Sequence, residues 1–471
     1  VEEAGQQRAG TAVLVPFPAS FEVPGPDQEM VPPLDSPPVP LACRVTLHER
    51  GGFSVEAGGS HYRVASTYSW PHGGFNAFSP GEDVAQNPEP VWHAAVDTHG
   101  AYTARGEGAF YRIERRVEPD GHRVWVKDTI TNLTDAPLGI LLSNYLDLNG
   151  HGAVSCSPVP NPSIFASVDG QGIGLVALDD VYLEHYATYF ESGAAGIRDH
   201  TFALDAGASY TLEWAVYVNA TGDYYDFIND VRRDLGVNRR IAGSFAVIDR
   251  REAPAREYVE RRGLAYVSVG CLGHPPDNPG LSLEGVEFVS YPQEMALLKE
   301  LFAETRERFP GIQTMFHIAH SLYTTNTPGE LFPDARVVDA GGQQTMYGGD
   351  NPEYYARYFS KEHVDAGYRW YIFYPTMTNS FGKAMLDAID VMLGEIGCTS
   401  MFADGFTHGY GGRFTYNAWD GHTADIDPET KTISRQYASV NLLAQDVLVR
   451  VARKVEAAGG VVVLSLIHIS E

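Results

Sequence analysis

The first half of the chain alternates apolar and polar residues with a period of two, from about residue 43 to residue 222. The alternation is clearest over residues 110–117 and 123–131, which flank a turn centred on Asp120 and Gly121. Such alternation is typical of half-buried antiparallel strands, and an Asp-Gly turn between two of them indicates a hairpin. Since no convincing helical pattern interrupts this region, we predict an antiparallel β-supersandwich over residues 43–222.

Two segments on either side of the predicted sandwich differ from it in pattern. Residues 1–42 are rich in proline and lack periodicity, which is typical of an extended arm or linker. Residues 223–260 begin with apolar residues at helical spacing, at positions 224, 227, 228, 231 and 235. We predict that they form a connecting helical segment.

From residue 261 the pattern changes to short apolar runs that alternate with amphipathic stretches. The runs predict strands over residues 264–270, 313–319, 368–374, 398–403 and 461–464, and the amphipathic stretches predict helices over residues 290–309, 352–366, 381–396 and 434–458. This alternation is typical of a parallel α/β domain. A doubly wound open sheet fits it too, but no GxGxxG or GxxxxGK motif follows any strand, so the usual nucleotide-binding loop is missing.

The preferred fold is therefore multidomain, β plus α/β, with the supersandwich followed by a truncated (β/α)8 TIM barrel. Residues 261–464 are interpreted as the N-terminal part of this catalytic domain. Residues 465–471 resemble the translated sequencing-adapter remnants that end metagenomic reading frames, so we expect a non-native tail on a fragment. An ordinary terminal strand is the alternative. The chain begins at Val1, so its localisation stays open, with a secreted or periplasmic bacterial protein as one expectation.

The net charge and the cysteine spacing argue against several kinds of partner and cofactor. The formal net charge is −26, and so acidic a surface argues against nucleic acid or an anionic membrane as a partner. No run of 18 or more apolar residues is present, so we predict no membrane span. The four cysteines are far apart and show no CxxC spacing, and we predict neither a metal nor a cofactor. The sequence does not indicate an oligomeric state.

The predicted strand 398–403 runs directly into Asp404, which is the first candidate catalytic residue. A carboxylate at the C-terminal end of a parallel strand lies on the face where barrel domains place their chemistry. Period-two alternation puts Asp404 on the same side as Phe402, facing the barrel mouth, while Met401 and Ala403 face the surrounding helices. The alternative is that Asp404 caps a helix or binds a loop.

The loops after the other predicted strands open on the same face. They are rich in hydrogen-bonding and aromatic groups and poor in Lys and Arg, which fits a neutral polyol better than a phosphate. Asp420 is a second catalytic candidate because Trp419 and His422 flank it, although a turn aspartate is an equal alternative. The candidate carbohydrate-binding residues are His274, His320, Tyr323, Asn379, His408, Tyr410, Trp419 and His422. Any one of them could instead be an ordinary loop residue.

Two stretches resemble known families. Residues 126–141 are similar to the strand–turn–strand of the galactose-mutarotase-like sandwich domains that precede catalytic barrels in several glycoside hydrolase families. Residues 402–405, Phe-Ala-Asp-Gly, resemble the end of the fourth barrel strand in the α-galactosidase and α-glycosidase superfamilies. The resemblance implies a glycosidase that acts on a neutral glycan, with Asp404 as nucleophile or base. It also implies an acid/base on a later strand, beyond this fragment, which would then itself be inactive.

Two other functions remain open. The first is a metal-dependent hydrolase on the same barrel, with His408 and His422 joining Asp404 around a cation. His317 and His320 are three residues apart and would point to opposite faces of one strand, unless the strand ends at Ala319. The second is a carbohydrate-binding protein without catalytic activity.

Overall fold

The structure is a computed structural model. It describes residues 41–81, 87–97, 102–152, 154–158, 161–237, 243–248, 252–269, 273–405 and 412–464. The predicted non-native tail, residues 465–471, and the predicted arm, except for residues 41–42, lie outside the described residues. So do two of the candidate binding residues, His408 and Tyr410.

The first part of the described chain consists almost entirely of strands. In chain order its elements are β1 (Cys43–Leu47), β2 (Phe53–Ala57), β3 (Ser60–Ser69), β4 (Phe75–Phe78), β5 (His93–Val96), β6 (Thr103–Glu107), β7 (Tyr111–Asp120), β8 (Arg123–Asn132), β9 (Leu138–Gly139), β10 (Leu142–Asp147), β11 (Val154–Pro158), β12 (Ser163–Val168), β13 (Gln171–Ala177), α1 (Asp180–His185), β14 (Ala187–Glu191), β15 (Ala194–Asp199), β16 (Ala203–Leu204) and β17 (Ser209–Asn219). The predicted hairpin is confirmed, because β7 and β8 pair antiparallel around the turn at Gly121.

These strands form two large antiparallel sheets and one small one. The first has the order β1-β2-β3-β10-β15-β14, with β4 on β3, and the second has the order β11-β12-β13-β17-β8-β7-β6-β5. Their facing sides share one apolar core, in which Phe53 and Tyr68 of the first sheet are buried with Ile130 and Trp214 of the second. Strands β9 and β16 form a separate pair. The result is a sandwich.

A buried ion pair lies inside this sandwich. The Nε and Nη2 atoms of Arg115 donate to the two carboxylate oxygens of Asp128, each at 2.7 Å, and both side chains are buried. The Tyr68 hydroxyl and the Trp214 indole N–H also donate to Asp128, each at 3.1 Å. A buried pair is tolerated only when its polar atoms are satisfied, and here Tyr68 belongs to the opposite sheet. The network therefore joins the two sheets.

The second part of the described chain mixes helices and strands. In chain order its elements are α2 (Tyr224–Asp234), β18 (Ser244–Ile248), α3 (Arg256–Arg262), β19 (Leu264–Val269), α4 (Pro292–Arg308), β20 (Gln313–Ala319), β21 (Leu322–Thr325), α5 (Pro352–Tyr355), α6 (Lys361–Asp365), β22 (Arg369–Ile372), α7 (Ser380–Asp390), β23 (Ser400–Asp404), β24 (Phe414–Thr415), β25 (Thr423–Ile426), β26 (Ile433–Ser439), α8 (Val440–Ala457) and β27 (Val462–Leu464). A 3₁₀ segment, Val286–Ser290, precedes α4, and a π-helical segment, Val391–Ile396, follows α7.

Five of these strands form a parallel sheet in the order β18-β19-β20-β23-β27. Helices α4, α7 and α8 cover one of its faces, where Phe316, Met401 and Ala403 are buried in a core with Leu298 and Val451. The predicted parallel α/β unit is thus present. In the part of the chain that the structure describes, however, the sheet is open, and a closed TIM barrel is not seen.

One predicted helical segment and one predicted strand need correction. Residues 244–248, inside the segment that we expected to be helical, form β18 and pair parallel with β19. Residues 368–374, the predicted third strand of the barrel, contain β22, which instead pairs antiparallel with β21. The reason is that Trp370 of β22 packs into a separate aromatic core with Tyr355 and Phe359. The parallel sheet thus contains β18, which was not predicted, and lacks β22, which was. Strand β23 is therefore still its fourth strand.

Two predicted helices are shorter than their patterns suggested. The helix predicted over residues 434–458 begins at Val440, because residues 433–439 form β26, which pairs with β24 and β25, and the Ser439 side chain caps the helix. The helix predicted over residues 352–366 is divided into α5 and α6. Amphipathic spacing alone does not distinguish one continuous helix from a strand followed by a helix or from two short helices.

Candidate functional site

Asp404 is the last residue of β23, at the C-terminal edge of the parallel sheet. It lies opposite Ala319 of β20, and Phe402 lies opposite His317, so these four residues share one face of the sheet. Met401 and Ala403 lie on the other face, in the core with the helices, as the alternation predicts. The Asp404 side chain is 18% exposed, so solvent reaches its carboxylate.

The two carboxylate oxygens of Asp404 have different neighbours. Oδ1 accepts a hydrogen bond from the Gly405 backbone N–H at 3.0 Å. Oδ2 lies 3.6 Å from Nε2 of His317, whose ring is buried against Phe402 with the ring centroids 5.4 Å apart. A backbone N–H that donates to a carboxylate favours its charged form. The arrangement therefore fixes one oxygen and leaves the other beside an imidazole.

His320 approaches Asp404 from a different side. It follows the end of β20 at Ala319 and is fully buried. Burial lowers the pKa of His320 to about 4, although a hydrogen bond to the Asp404 backbone and the Asp404 charge act in the opposite direction. Because the strand ends at Ala319, His317 and His320 both reach Asp404 in spite of their spacing of three residues. His320 is thus a neutral group near neutral pH.

Three other candidate binding residues form local contacts. Nδ1 of His274 lies 2.9 Å from the Leu281 carbonyl. Tyr323 packs edge-on against Phe332. The side chain of Asn379 caps α7, because its Oδ1 accepts from the Gly382 N–H at 2.8 Å. These contacts shape loops and cores, and a carbohydrate-binding role for these residues stays a prediction.

Asp420 is held by four hydrogen bonds in a turn. Its Oδ1 accepts from the backbone N–H groups of His422 and Thr423, each at 2.8 Å. Its Oδ2 accepts from the Thr423 hydroxyl at 2.6 Å and from the Ser439 N–H at 2.7 Å. This pattern favours the turn aspartate that was the alternative to a catalytic role.

Of the two neighbours of Asp420, His422 lies against the sandwich. The indole N–H of Trp419 donates to the Thr423 carbonyl at 3.0 Å. The ring of His422 lies 4.5 Å from the ring of Tyr210 in β17, and burial lowers the pKa of His422. Of the predicted site residues within the described ranges, the structure therefore brings His320 to Asp404.

The contact between His317 and Asp404 was missed by sequence reasoning. The signal that could have found it is the register of two adjacent parallel strands, since both residues lie near strand ends. Among the residues that the structure describes, no three His, Cys, Asp or Glu side chains are placed to hold a metal ion. Across the same residues, no helix combines the length and the apolar character that crossing a membrane requires.

No protein-family model and no curated protein matches this chain. Similar solved structures include the galactosidase domain of the alpha-galactosidase-sucrose kinase AgaSK, at 11% identity and a TM-score of 0.44, covering 90% of this chain and 59% of that chain. A GH31 family sulfoquinovosidase from E. rectale gives 10% identity and a TM-score of 0.39, covering 89% and 66%. A xylosidase from Aspergillus niger gives 10% and 0.35, covering 90% and 62%. These neighbours are glycoside hydrolases at low identity, and this chain spans less than two thirds of the length of each.

Proposed function

We propose that this protein is a glycoside hydrolase that acts on a neutral glycan and uses Asp404 as its nucleophile. The observation that carries the proposal is the position of Asp404. It is a partly exposed carboxylate at the C-terminal end of the fourth strand of a parallel sheet, with its backbone and one oxygen already held. Parallel α/β domains place their catalytic groups at this edge.

The geometry supports a nucleophile because the two oxygens are not equivalent. The Gly405 N–H fixes Oδ1, so Oδ2 is the oxygen that attacks the anomeric carbon. The bond from that carbon to the leaving oxygen breaks as the new ester bond forms, and water later cleaves the ester. His317 lies beside Oδ2 and His320 lies at the Asp404 backbone, so both histidines border the proposed nucleophile.

The substrate class follows from charge. The protein carries a formal charge of −26, which repels polyanionic glycans at long range. The described elements around Asp404 bring neutral imidazole and aromatic groups to it, such as His320 and Phe402. A neutral sugar unit is therefore the substrate that these surroundings favour.

The proposal is tested with 2-deoxy-2-fluoro glycosyl fluorides that differ in sugar and anomeric configuration. Fluoride leaves without protonation, so the attack needs no acid/base residue, and the second fluorine slows hydrolysis of the ester. We expect the mass of the protein to rise by one glycosyl unit with at least one reagent, and peptide mapping to place the unit on Asp404. The variant Asp365→Asn, which changes an exposed carboxylate in α6, should be labelled like the wild type.

Three results would overturn the assignment. The first is a glycosyl unit on a different carboxylate. The second is hydrolysis with inverted product and no adduct, which would make Asp404 a base at most. The third is the absence of both labelling and hydrolysis with every reagent. Hydrolysis that stops when a chelator is added would instead favour the metal-dependent alternative.

A further inference from the structure

His185, the last residue of α1, lies at a junction between the sandwich and a later segment of the chain. Its side chain is 1% exposed. Nδ1 lies 2.9 Å from Oδ2 of Asp199, at the end of β15. Nε2 lies 2.9 Å from the hydroxyl oxygen of Thr423, the first residue of β25. One imidazole therefore bridges two parts of the molecule that are over 200 residues apart in sequence.

The hydrogen bonds around this imidazole determine its protonation. The Thr423 hydroxyl lies 2.6 Å from Oδ2 of Asp420, and Asp420 also accepts from three backbone N–H groups. An ionised carboxylate only accepts, so the Thr423 hydroxyl donates its proton to Asp420. The Thr423 oxygen must then accept from Nε2–H of His185. Asp199, whose Oδ1 already accepts from the Thr201 N–H at 2.7 Å, accepts from Nδ1–H.

Both ring nitrogens of His185 thus carry a proton, and the ring is an imidazolium between two carboxylates. A continuous chain of donors runs from His185 to Asp199 on one side and through Thr423 to Asp420 on the other. Burial by itself would lower the pKa of His185, but Asp199 at 2.9 Å, with Asp420 and Glu184 nearby, raises it above the ordinary value. The hydrogen-bond geometry and the nearby carboxylates therefore both favour a protonated His185.

Other titratable groups lie at the junction beside His185. Glu184 of α1 accepts from the Asn441 side chain of α8 at 2.9 Å and lies 3.6 Å from Nε of Arg413. The ring of His422 faces the junction with its pKa lowered by burial. The pKa of Tyr437 in β26 is raised by burial and by Asp425. His422 and Tyr437 are therefore neutral at neutral pH, and His185 is the histidine at the junction whose pKa is raised.

The chain of hydrogen bonds holds a defined segment. We name residues 420–439, which contain β25 and β26, the docked segment. The Ala203 N–H donates to the His422 carbonyl at 2.8 Å, and the Ala424 N–H donates to the Thr201 carbonyl at 2.9 Å. Side chains of β25 and β26 also pack over Gly139, where an added Cβ would lie 2.8 Å from Ile426. The docked segment is part of the connection that leaves β23 after Asp404 and leads to α8.

We propose that His185 is a pH-sensitive latch, which holds the docked segment on the sandwich as an imidazolium and releases it when the ring loses a proton. A neutral ring has one N–H, so either Asp199 or Thr423 loses its donor. The buried carboxylate of Asp199 and the half-buried carboxylate of Asp420 are then left without a cation between them. A histidine whose pKa is raised by folding stabilises the folded state fully below its unfolded pKa of about 6.5, and this stabilisation is lost as the pH rises through the folded pKa.

The test is amide hydrogen exchange of the docked segment between pH 6 and pH 9.5, corrected for the intrinsic pH dependence of exchange. In the wild type we expect protection of residues 420–439 to fall progressively as the pH rises above 6.5, because His185 then loses the proton that the folded state holds. Protection of the β7–β8 hairpin should not change, because the ring of His185 bonds to Asp199 and Thr423, which lie outside it. The matched control is His61→Gln, since His61 is an exposed histidine of the same sandwich.

Two substitutions of Thr423 test the inference without altering the buried imidazole of His185. Thr423→Val removes the hydroxyl that links His185 to Asp420. We expect low protection of the docked segment at pH 6 and no further loss of protection as the pH rises. Thr423→Ser retains the hydroxyl, so protection of the docked segment should fall with rising pH as it does in the wild type. The inference would be overturned by protection that is independent of pH in the wild type. It would also be overturned by a fall in protection in Thr423→Val as large as that of the wild type. Neither result bears on Asp404, because the latch uses no step of the proposed hydrolysis.

Discussion

At the residue scale, the three side chains that meet at the end of β23 differ in their access to solvent. The carboxylate of Asp404 is 18% exposed, whereas His317 beside it is 3% exposed. His320 is completely buried and remains neutral. Of the three side chains, the carboxylate of Asp404 is therefore the one that solvent, and hence a substrate, reaches most easily. The two histidines act on it from within the protein.

His320 gives a prediction about stability at acidic pH. Its pKa is about 4 in the folded protein and 6.5 ordinarily, so the unfolded chain binds the proton more strongly. Stability should be lost as the pH falls from 6.5 towards 4, by up to about 3 kcal/mol. Chemical unfolding of the wild type and of His320→Gln at pH 7 and pH 4.5 measures this loss.

The difference between the two proteins isolates His320 from the other titrating groups. We expect the free energy of unfolding of His320→Gln to change less between the two pH values than that of the wild type. The exposed-site variant His61→Gln should follow the wild type. An equal pH dependence in His320→Gln and the wild type would show that His320 is not held neutral.

Sequence reasoning at this scale found Asp404 because a carboxylate directly after a buried strand is visible in the pattern. It did not find His317, because that contact depends on which strands are neighbours and in which register. Asp420 attracted attention through its aromatic and histidine neighbours, but its four hydrogen bonds are local to a turn and to the start of α8. The residue types beside an aspartate in the sequence thus indicate less about its role than the groups that donate hydrogen bonds to it.

At the scale of elements, the sandwich depends on a polar network as well as on its apolar core. Arg115 and Asp128 lie on the paired strands β7 and β8, and Tyr68 connects them to the opposite sheet. Loss of one member of a buried pair leaves an uncompensated charge, which costs far more than loss of an exposed pair. This difference can be measured directly.

Asp128→Asn keeps the shape of the side chain and removes its charge. We expect the free energy of unfolding in urea to fall by about 3–5 kcal/mol, because the buried Arg115 guanidinium then has no counter-ion. Asp120→Asn breaks the exposed pair with Arg123 in the same hairpin, and should cost at most about 1 kcal/mol. Similar losses in the two variants would contradict the role given to the buried network.

The pattern of the chain predicted most elements but not their partners. The hairpin β7–β8 and the strands β19, β20 and β23 were found because their periodicity is local. Strand β18 is a run of only five residues within a segment of helical spacing. Strand β22 has the composition of a buried parallel strand, but its partner is β21. A short apolar run shows that a strand is buried and does not show what covers it.

At the scale of the whole molecule, two architectures follow one another along the chain. A sandwich of two antiparallel sheets comes first, and a parallel sheet with helices on one face follows. The long connection between β23 and α8 returns to the sandwich, so the element that carries Asp404 is also tied to the first part of the chain. This return could not be predicted, because it rests on contacts between residues over 200 positions apart.

The measurement that tests the central claim most directly is the comparison of kcat/KM for wild type and Asp404→Asn, on the 2,4-dinitrophenyl glycoside that the wild type hydrolyses fastest. This leaving group needs no protonation, so the rate reports on Asp404. We expect kcat/KM to fall by about a thousandfold or more, with the melting temperature nearly unchanged and Asp365→Asn behaving like the wild type. Wild-type turnover in Asp404→Asn, or a large loss of stability with activity retained, would contradict the proposed role of Asp404.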